Sequence, residues 1–219
     1  MRSRSLANIK QEVTELVNSG FKEIVLIGIH LGAYGHEEGN KNSLTDAVKE
    51  ALAVEGLQRL RLGSLESVEV DDELLDLMTT DSRLQRQLHL PLQAGSNEIL
   101  KAMHRPYTIE IFRALLKKIR MKLPDVAITT DIIVGFPGES DELFTETEKF
   151  IEECNFSKMH IFPYSSRQGT PASNFDGVVS EKKKQERAAI LAKLDEIQHR
   201  NFCAALCGHN VEVLFEQDN

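Results

Sequence analysis

The regular alternation of helical and strand periodicity along the whole chain limits its possible folds more than any other feature. Residues 5–19 place Leu6, Ile9, Val13 and Leu16 at helical spacing, Gly20 follows as a C-cap, and the apolar run EIVLIG (23–28) comes next. A helix over 43–54 opens on Ser43 with Asp46 three residues on, an approximate capping box, and leads to a strand over 57–65. The pattern continues with a helix at 71–79, a strand at 86–96, helices at 96–103 and 108–122, a strand at 126–136, a helix at 140–153 and a strand at 157–165. A charged amphipathic helix over 180–207 precedes Gly208 and a last strand-like run, VEVLFEQ (211–217). Strands separated by helices are joined by parallel crossovers, so the fold class is α/β, either a (β/α) barrel or an open parallel sheet. The chain opens on a helix and stops just after a strand-like run, and both ends are expected to be cut.

In either architecture ligands gather at the carboxyl ends of the strands. The unusual residues fall there: Gly28 with His30, Ser64 with Glu66, Gln93 with Ser96, Asp131 with Gly135, and Tyr164. An ionised Asp131 inside the apolar run VAITTDIIVGF needs a dedicated donor. Two readings are open: Asp131 caps a neighbouring loop or pairs with a buried Arg, or it binds a ribose hydroxyl or amino group of a ligand. Gly135, Pro137 and Gly138 make a tight turn that would also let a flat ring lie against the backbone. GFPG lacks the Lys-Ser/Thr of a phosphate loop. Arg105, twelve residues after Gln93, is far enough on to return toward the same rim, where a carboxylate would suit it, although most arginines are simply solvated.

Other chemistries find little support. The seven histidines are scattered without a zinc-like spacing, and His89 and His160 lie in apolar strands where a satisfied core histidine is the ordinary role. Cys203 and Cys207 share a helix face and are read as packing residues, because two thiols cannot complete an iron–sulfur or structural zinc site. No Ser-His-Asp or Cys-His order stands out. Three cysteines without a framework spacing fit reduced thiols. No run approaches the roughly 20 apolar residues of a membrane helix, and MRSRSLANIKQ does not resemble a signal peptide, so a cytoplasmic protein with no membrane partner is expected. A net charge of -8 is the wrong sign for gripping phosphates by the overall field.

Five blocks taken in order carry a family resemblance: IGIHLGAYG (27–35), LRLGSLES (60–67), LHLPLQAGSNEILKAMHRPYT (88–108), TTDIIVGFPGES (129–140) and HIFPYSSRQGTPA (160–172). Together they resemble the radical S-adenosylmethionine methylthiotransferases, over practically the whole chain. GIHLGAYG looks most like the branch that modifies threonylcarbamoyladenosine in tRNA, rather than isopentenyladenosine or a ribosomal protein aspartate.

The resemblance implies a partial (β/α)6 TIM-like barrel without its first strand. Residues 1–209 would form the core, and 210–219 the start of an RNA-binding, TRAM-like barrel. It implies S-adenosylmethionine as cofactor and tRNA as partner. Gly28 would lie near the methionine amino group, Glu66 and Gln93 near the amino acid and ribose, and Arg105 at the carboxylate. Asp131 would bind ribose, the Gly135 turn would border the nucleoside, and Phe162 and Tyr164 would lie near the adenine or the substrate mouth; Ser96 completes the set. The family's CxxxCxxC loop, which holds a [4Fe–4S] cluster, is not found in this sequence, and Ala94 stands where serine is usual. A truncated core unable to start radical chemistry by itself is therefore expected. The rivals are a barrel aldolase or isomerase, which would want a Schiff-base lysine or a phosphate-binding turn, and a cluster-free binding protein on the same fold.

Overall fold

In the computed structural model, which describes residues 2–37, 39 and 41–215, each predicted helix starts on a residue that can cap it. Ser5 caps α1 (Leu6–Asn18) and Asp71 caps α3 (Asp72–Thr80). Thr108, Ser140 and Ser180 do the same for α5 (Ile109–Lys122), α6 (Asp141–Cys154) and α7 (Glu181–Leu206). The Ser43 and Asp46 side chains form the expected reciprocal box at α2 (Leu44–Leu52). The short α4 (Asn97–Ala102) follows Ser96 without a side-chain cap.

The strands β1 (Glu23–Leu26), β2 (Arg59–Leu62), β3 (Gln87–His89), β4 (Ala127–Val134) and β5 (Lys158–Pro163) are parallel and lie in sequence order. β1 pairs with β2, and β3, β4 and β5 form a second ladder. Isolated bridges from Leu60 to Leu84 and from Ser64 to His89 connect the two. The observed strands are shorter than the apolar runs. The run over 86–96 gives three residues of regular strand, because Pro91 has no N–H for the ladder.

Side chains alternate across a strand. Residues of one parity, including Leu60, Leu88, Ile128, Ile132 and Met159, are buried in one apolar core with Val48, Met78, Phe112, Ile151 and Leu191 of the helices. Within that core Phe112 meets Phe150 and Phe156 edge-on, with centroids 6.4 and 6.3 Å apart. Residues of the other parity make a half-open, largely polar face: Glu23, Arg61, His89, Thr129, Asp131 and His160.

Three expectations are corrected here. His160 is exposed rather than a core residue, because the β5 alternation turns it to the open face. Cys203 and Cys207 are exposed rather than packed, since no α7 residue after Gln198 is buried. Residues 211–215 form no strand, having no described strand to pair with, and 216–217 of that run lie outside the described residues.

The buried stripe of α7 is mainly polar: Lys184, Arg187, Leu191, Asp195 and Gln198. Lys184, Asp195 and Gln198 cover backbone groups in and beside β5, the edge strand. Asp195 accepts from Met159 N at 2.7 Å and pairs with Lys158. Gln198 accepts from Phe156 N at 2.9 Å and donates to Ile151 O at 2.7 Å. A helix thus covers backbone groups that an exposed edge would leave open to another strand.

Candidate functional site

The strand ends of β3 and β4 are shaped by the break at Pro91. Beyond His89 the chain stays beside β4: Leu90 N donates to Thr129 O at 2.8 Å. Around the proline, the buried Thr130 hydroxyl stands in for ladder partners, accepting from Leu92 N (2.9 Å) and donating to Leu90 O (2.7 Å). Gln93 then rejoins β4, donating its N–H to Asp131 O and accepting from Ile133 N, both at 2.8 Å. It does so at a φ of 68°, a left-handed conformation that is uncommon for a residue with a side chain. Strain held by well-formed bonds on both sides of a residue points to a site that needs the side chain there.

Gln93 lines a cavity of about 550 Å³ with Asp131, Ile133, Phe162, Tyr164 and Arg167. Asp131 is half-buried and lies 3.3 Å from His89 Nε2, while His89 Nδ1 is 2.9 Å from the Thr129 hydroxyl. Its protein partner is therefore a histidine on the adjacent strand, and the His160 ring packs edge-on to that histidine at 5.9 Å. The Tyr164 ring packs edge-on to Phe136 at 5.1 Å, and its hydroxyl is buried with no partner among the described residues. Phe162 is half exposed on the open face.

Glu66 and Arg105 form a second cluster, as an ion pair of 3.2 Å. The Glu66 N–H donates to Glu69, whose carboxylate also pairs with His30 of the β1 loop. The Tyr107 hydroxyl, pushed up to about 12 by burial, donates to Pro91 O at 3.0 Å, two residues before Gln93. Of the sequence-selected residues, the structure thus brings Gln93, Asp131, Phe162 and Tyr164 to one cavity, and Glu66 and Arg105 to one pair. Gly28 lies exposed before the 3-10 turn Leu31–Ala33, and Ser96 is fully buried, its hydroxyl without a partner among the described residues.

Gly135 faces α7, with a φ of 75° and Lys184 so close that a Cβ would collide with it. Its N–H donates to the buried Glu139, whose carboxylate pairs with the equally buried Arg187 at 2.8 Å. Burial pushes the Glu139 carboxyl up, opposed by those two contacts. Arg167, Glu139 and Arg187 were not singled out from the sequence, and His89, expected there to be a core histidine, lies instead half-buried on the open face against Asp131. The alternation LHLPLQ could have placed His89 on the open face, whereas the α7 contacts carry no local signal.

These observations describe a cleft at strand ends, walled by aromatic and aliphatic side chains with a few polar groups among them and sized for a small molecule. The family described as the radical SAM superfamily matches residues 1–151, more than half of the chain. The chain belongs to the radical SAM superfamily. Among curated relatives, the threonylcarbamoyladenosine tRNA methylthiotransferase of Thermotoga maritima is 41% identical over 99% of this chain and 49% of its own length. The Bacillus subtilis protein of the same description is 39% identical over 99% and 48%. The tRNA-2-methylthio-N(6)-dimethylallyladenosine synthase of Acetivibrio thermocellus is 39% identical over 98% and 45%. The chain spans about half the length of these relatives. Among solved structures, coproporphyrinogen III oxidase of Escherichia coli, a radical SAM enzyme, superposes with a TM-score of 0.62 at 18% identity, covering 86% of this chain and 45% of that one. That likeness shows the fold.

Radical SAM membership implies S-adenosylmethionine and a [4Fe–4S] cluster, and the two fare differently here. The strained Gln93, Asp131 and the aromatic side chains of Phe162 and Tyr164 around one cavity fit a nucleoside that offers hydroxyls and a ring. The thiols do not fit a cluster. Cys154 is buried, with its thiol pushed up to about 12 by desolvation, whereas Cys203 on α7 and Cys207 just past its end are exposed. Among the described residues no group of three or more His, Cys, Asp or Glu side chains is placed to hold a metal ion.

Proposed function

We propose that this chain is the S-adenosylmethionine-binding core of a methylthiotransferase that modifies threonylcarbamoyladenosine in tRNA, a cytoplasmic activity. In this reading the five parallel strands are an arc of a (β/α)6 barrel, with the half-open polar face as its interior, and residues 1–209 form the core. Glu66 and Arg105, paired in this structure, would open to receive the ammonium and carboxylate of the methionine moiety, near Gly28. Gln93 and Asp131 would bind ribose hydroxyls, Phe162 and Tyr164 would border the adenine or the substrate, and Ser96 and the Gly135 turn would support them.

One observation carries the reading: Gln93 is held in a left-handed conformation on the wall of the cavity that Asp131 lines. Relatives at 39–41% identity supply the substrate class. The Acetivibrio thermocellus relative favours dimethylallyladenosine as a second reading. Calorimetric titration of the purified chain with S-adenosylmethionine tests the cofactor site. Saturable binding, weakened about tenfold or more by Asp131→Ala, is expected, since charge-assisted hydrogen bonds contribute roughly 1.5–3 kcal/mol. Unchanged affinity in that variant removes Asp131 from the site. Nucleoside analysis of tRNA from cells lacking the gene decides between the two substrates.

A further inference from the structure

The cavity that holds Gln93 and Asp131 has a cation on its rim that the cofactor reading does not use. Arg167 lines it beside Ser165 and Thr170. Its loop is fixed: Thr170 donates to Arg167 O from both its N–H (3.2 Å) and its hydroxyl (2.8 Å), and the Ser173 hydroxyl donates to Thr170 O at 2.6 Å. The arginines of the strands and their ends are each matched to a carboxylate, Arg59 and Arg61 to Glu23 and Arg105 to Glu66. The Arg167 guanidinium makes no ion pair among the described residues. The carboxylate lining the same cavity, Asp131, lies against His89 instead.

An unneutralised guanidinium at a cavity rim, in a chain of net charge -8, is a fork without its oxyanion. The Glu66–Arg105 pair accounts for both charges of an amino acid, so the oxyanion has to come from the second occupant. We propose that Arg167 is a specificity-determining residue that grips an oxyanion of the substrate nucleotide, with Ser165 and Thr170 as neighbouring donors. The shared chemistry is a planar or tetrahedral oxyanion, supplied by a backbone phosphate or by a carboxylate on the modified base. This assignment rests on the proposed function, because it takes the substrate to be a nucleotide.

The test uses the full chain saturated with S-adenosylhomocysteine, titrated with adenosine, adenosine 5′-monophosphate and N6-threonylcarbamoyladenosine. At least one oxyanion-bearing probe is expected to bind about tenfold more tightly than adenosine, with the advantage lost in Arg167→Gln and partly kept in Arg167→Lys. An advantage confined to the monophosphate identifies a phosphate contact, and one confined to the threonylcarbamoyl compound identifies a carboxylate contact. Equal binding of all three probes, or an advantage that survives in Arg167→Gln, overturns the proposal. Arg167 is exposed, so both variants should fold, with thermal midpoints close to the parent's, and S-adenosylmethionine is titrated separately into the parent chain. That last titration separates the two ideas: failure of the parent chain to bind S-adenosylmethionine sinks the proposed function, whereas a parent chain that binds it but does not discriminate among the three probes sinks only the role of Arg167.

Discussion

A left-handed Gln93 costs the folded state roughly 1–2 kcal/mol relative to glycine, and hydrogen bonds to β4 on both of its backbone groups hold it there. Two substitutions separate strain from function. Gln93→Gly should leave the thermal midpoint unchanged or raise it by about 2–4 °C, as expected for about 1 kcal/mol in a chain of this size. Gln93→Ala keeps the strain and should show no rise. Both should weaken S-adenosylmethionine binding about tenfold, because both lose the amide. Calorimetric scans and titrations check this, and a drop in midpoint for the glycine variant would mean that the conformation is not strained. Asp131 could be flagged from the sequence because a carboxylate between Thr130 and Ile132 contradicts its surroundings. Its partner could not, since His89 becomes a neighbour through the register of β3 on β4, and cross-strand register is not written locally.

Among the elements, α7 shows how a periodic pattern can mislead about what a helix does. Its charged residues invite a solvated reading, yet three of them, Lys184, Arg187 and Asp195, are buried beside Leu191 and Gln198. Asp195→Ala leaves the buried Met159 N–H without an acceptor and Lys158 without a partner, and should cost about 2–4 kcal/mol in urea unfolding. Asp195→Asn keeps an acceptor and should cost clearly less; equal losses would deny that the backbone bond matters. At the opposite edge, Glu23 joins β1 to β2 by accepting from Arg59 Nε at 2.8 Å and Arg61 Nη1 at 3.1 Å. Burial pushes its carboxyl up, but the two guanidinium groups prevail and hold it below the ordinary 4.5. A depressed folded value means that the contribution is fully present above pH 4.5 and is lost as pH falls through that lower value. Glu23→Gln should therefore destabilise the protein by about 1–2 kcal/mol at pH 7, and the difference from the parent should shrink in acid. Unfolding at several pH values would show this, and a pH-independent difference would refute it.

For the whole molecule, the alternation of periodicities was enough to give the parallel direction of the strands, because a parallel neighbour needs a helical crossover, but not their order, since an open parallel sheet was equally allowed. The half-open polar face was legible only in pieces, as single polar residues in apolar runs, since the placing of Glu23, Arg61, His89 and His160 on one surface depends on strand register. That face also limits what the chain can do alone. A [4Fe–4S] cluster needs several thiolates converging on one volume, and none of the three thiols meets that need. Cys154 resists ionisation in the core, while Cys203 late on α7 and Cys207 just past its end lie beyond its last buried residue. Reconstitution of this polypeptide with iron and sulfide should therefore yield no stoichiometric cluster by iron analysis and absorbance, and no reductive cleavage of S-adenosylmethionine. Binding of S-adenosylmethionine at Gln93 and Asp131 should persist, because those side chains are set by the β3–β4 register and not by the metal. A stoichiometric cluster would show that ligands can gather from parts of the fold that hold them apart here. Loss of binding in the cluster-free chain would show that the cavity needs the iron to recognise its nucleoside.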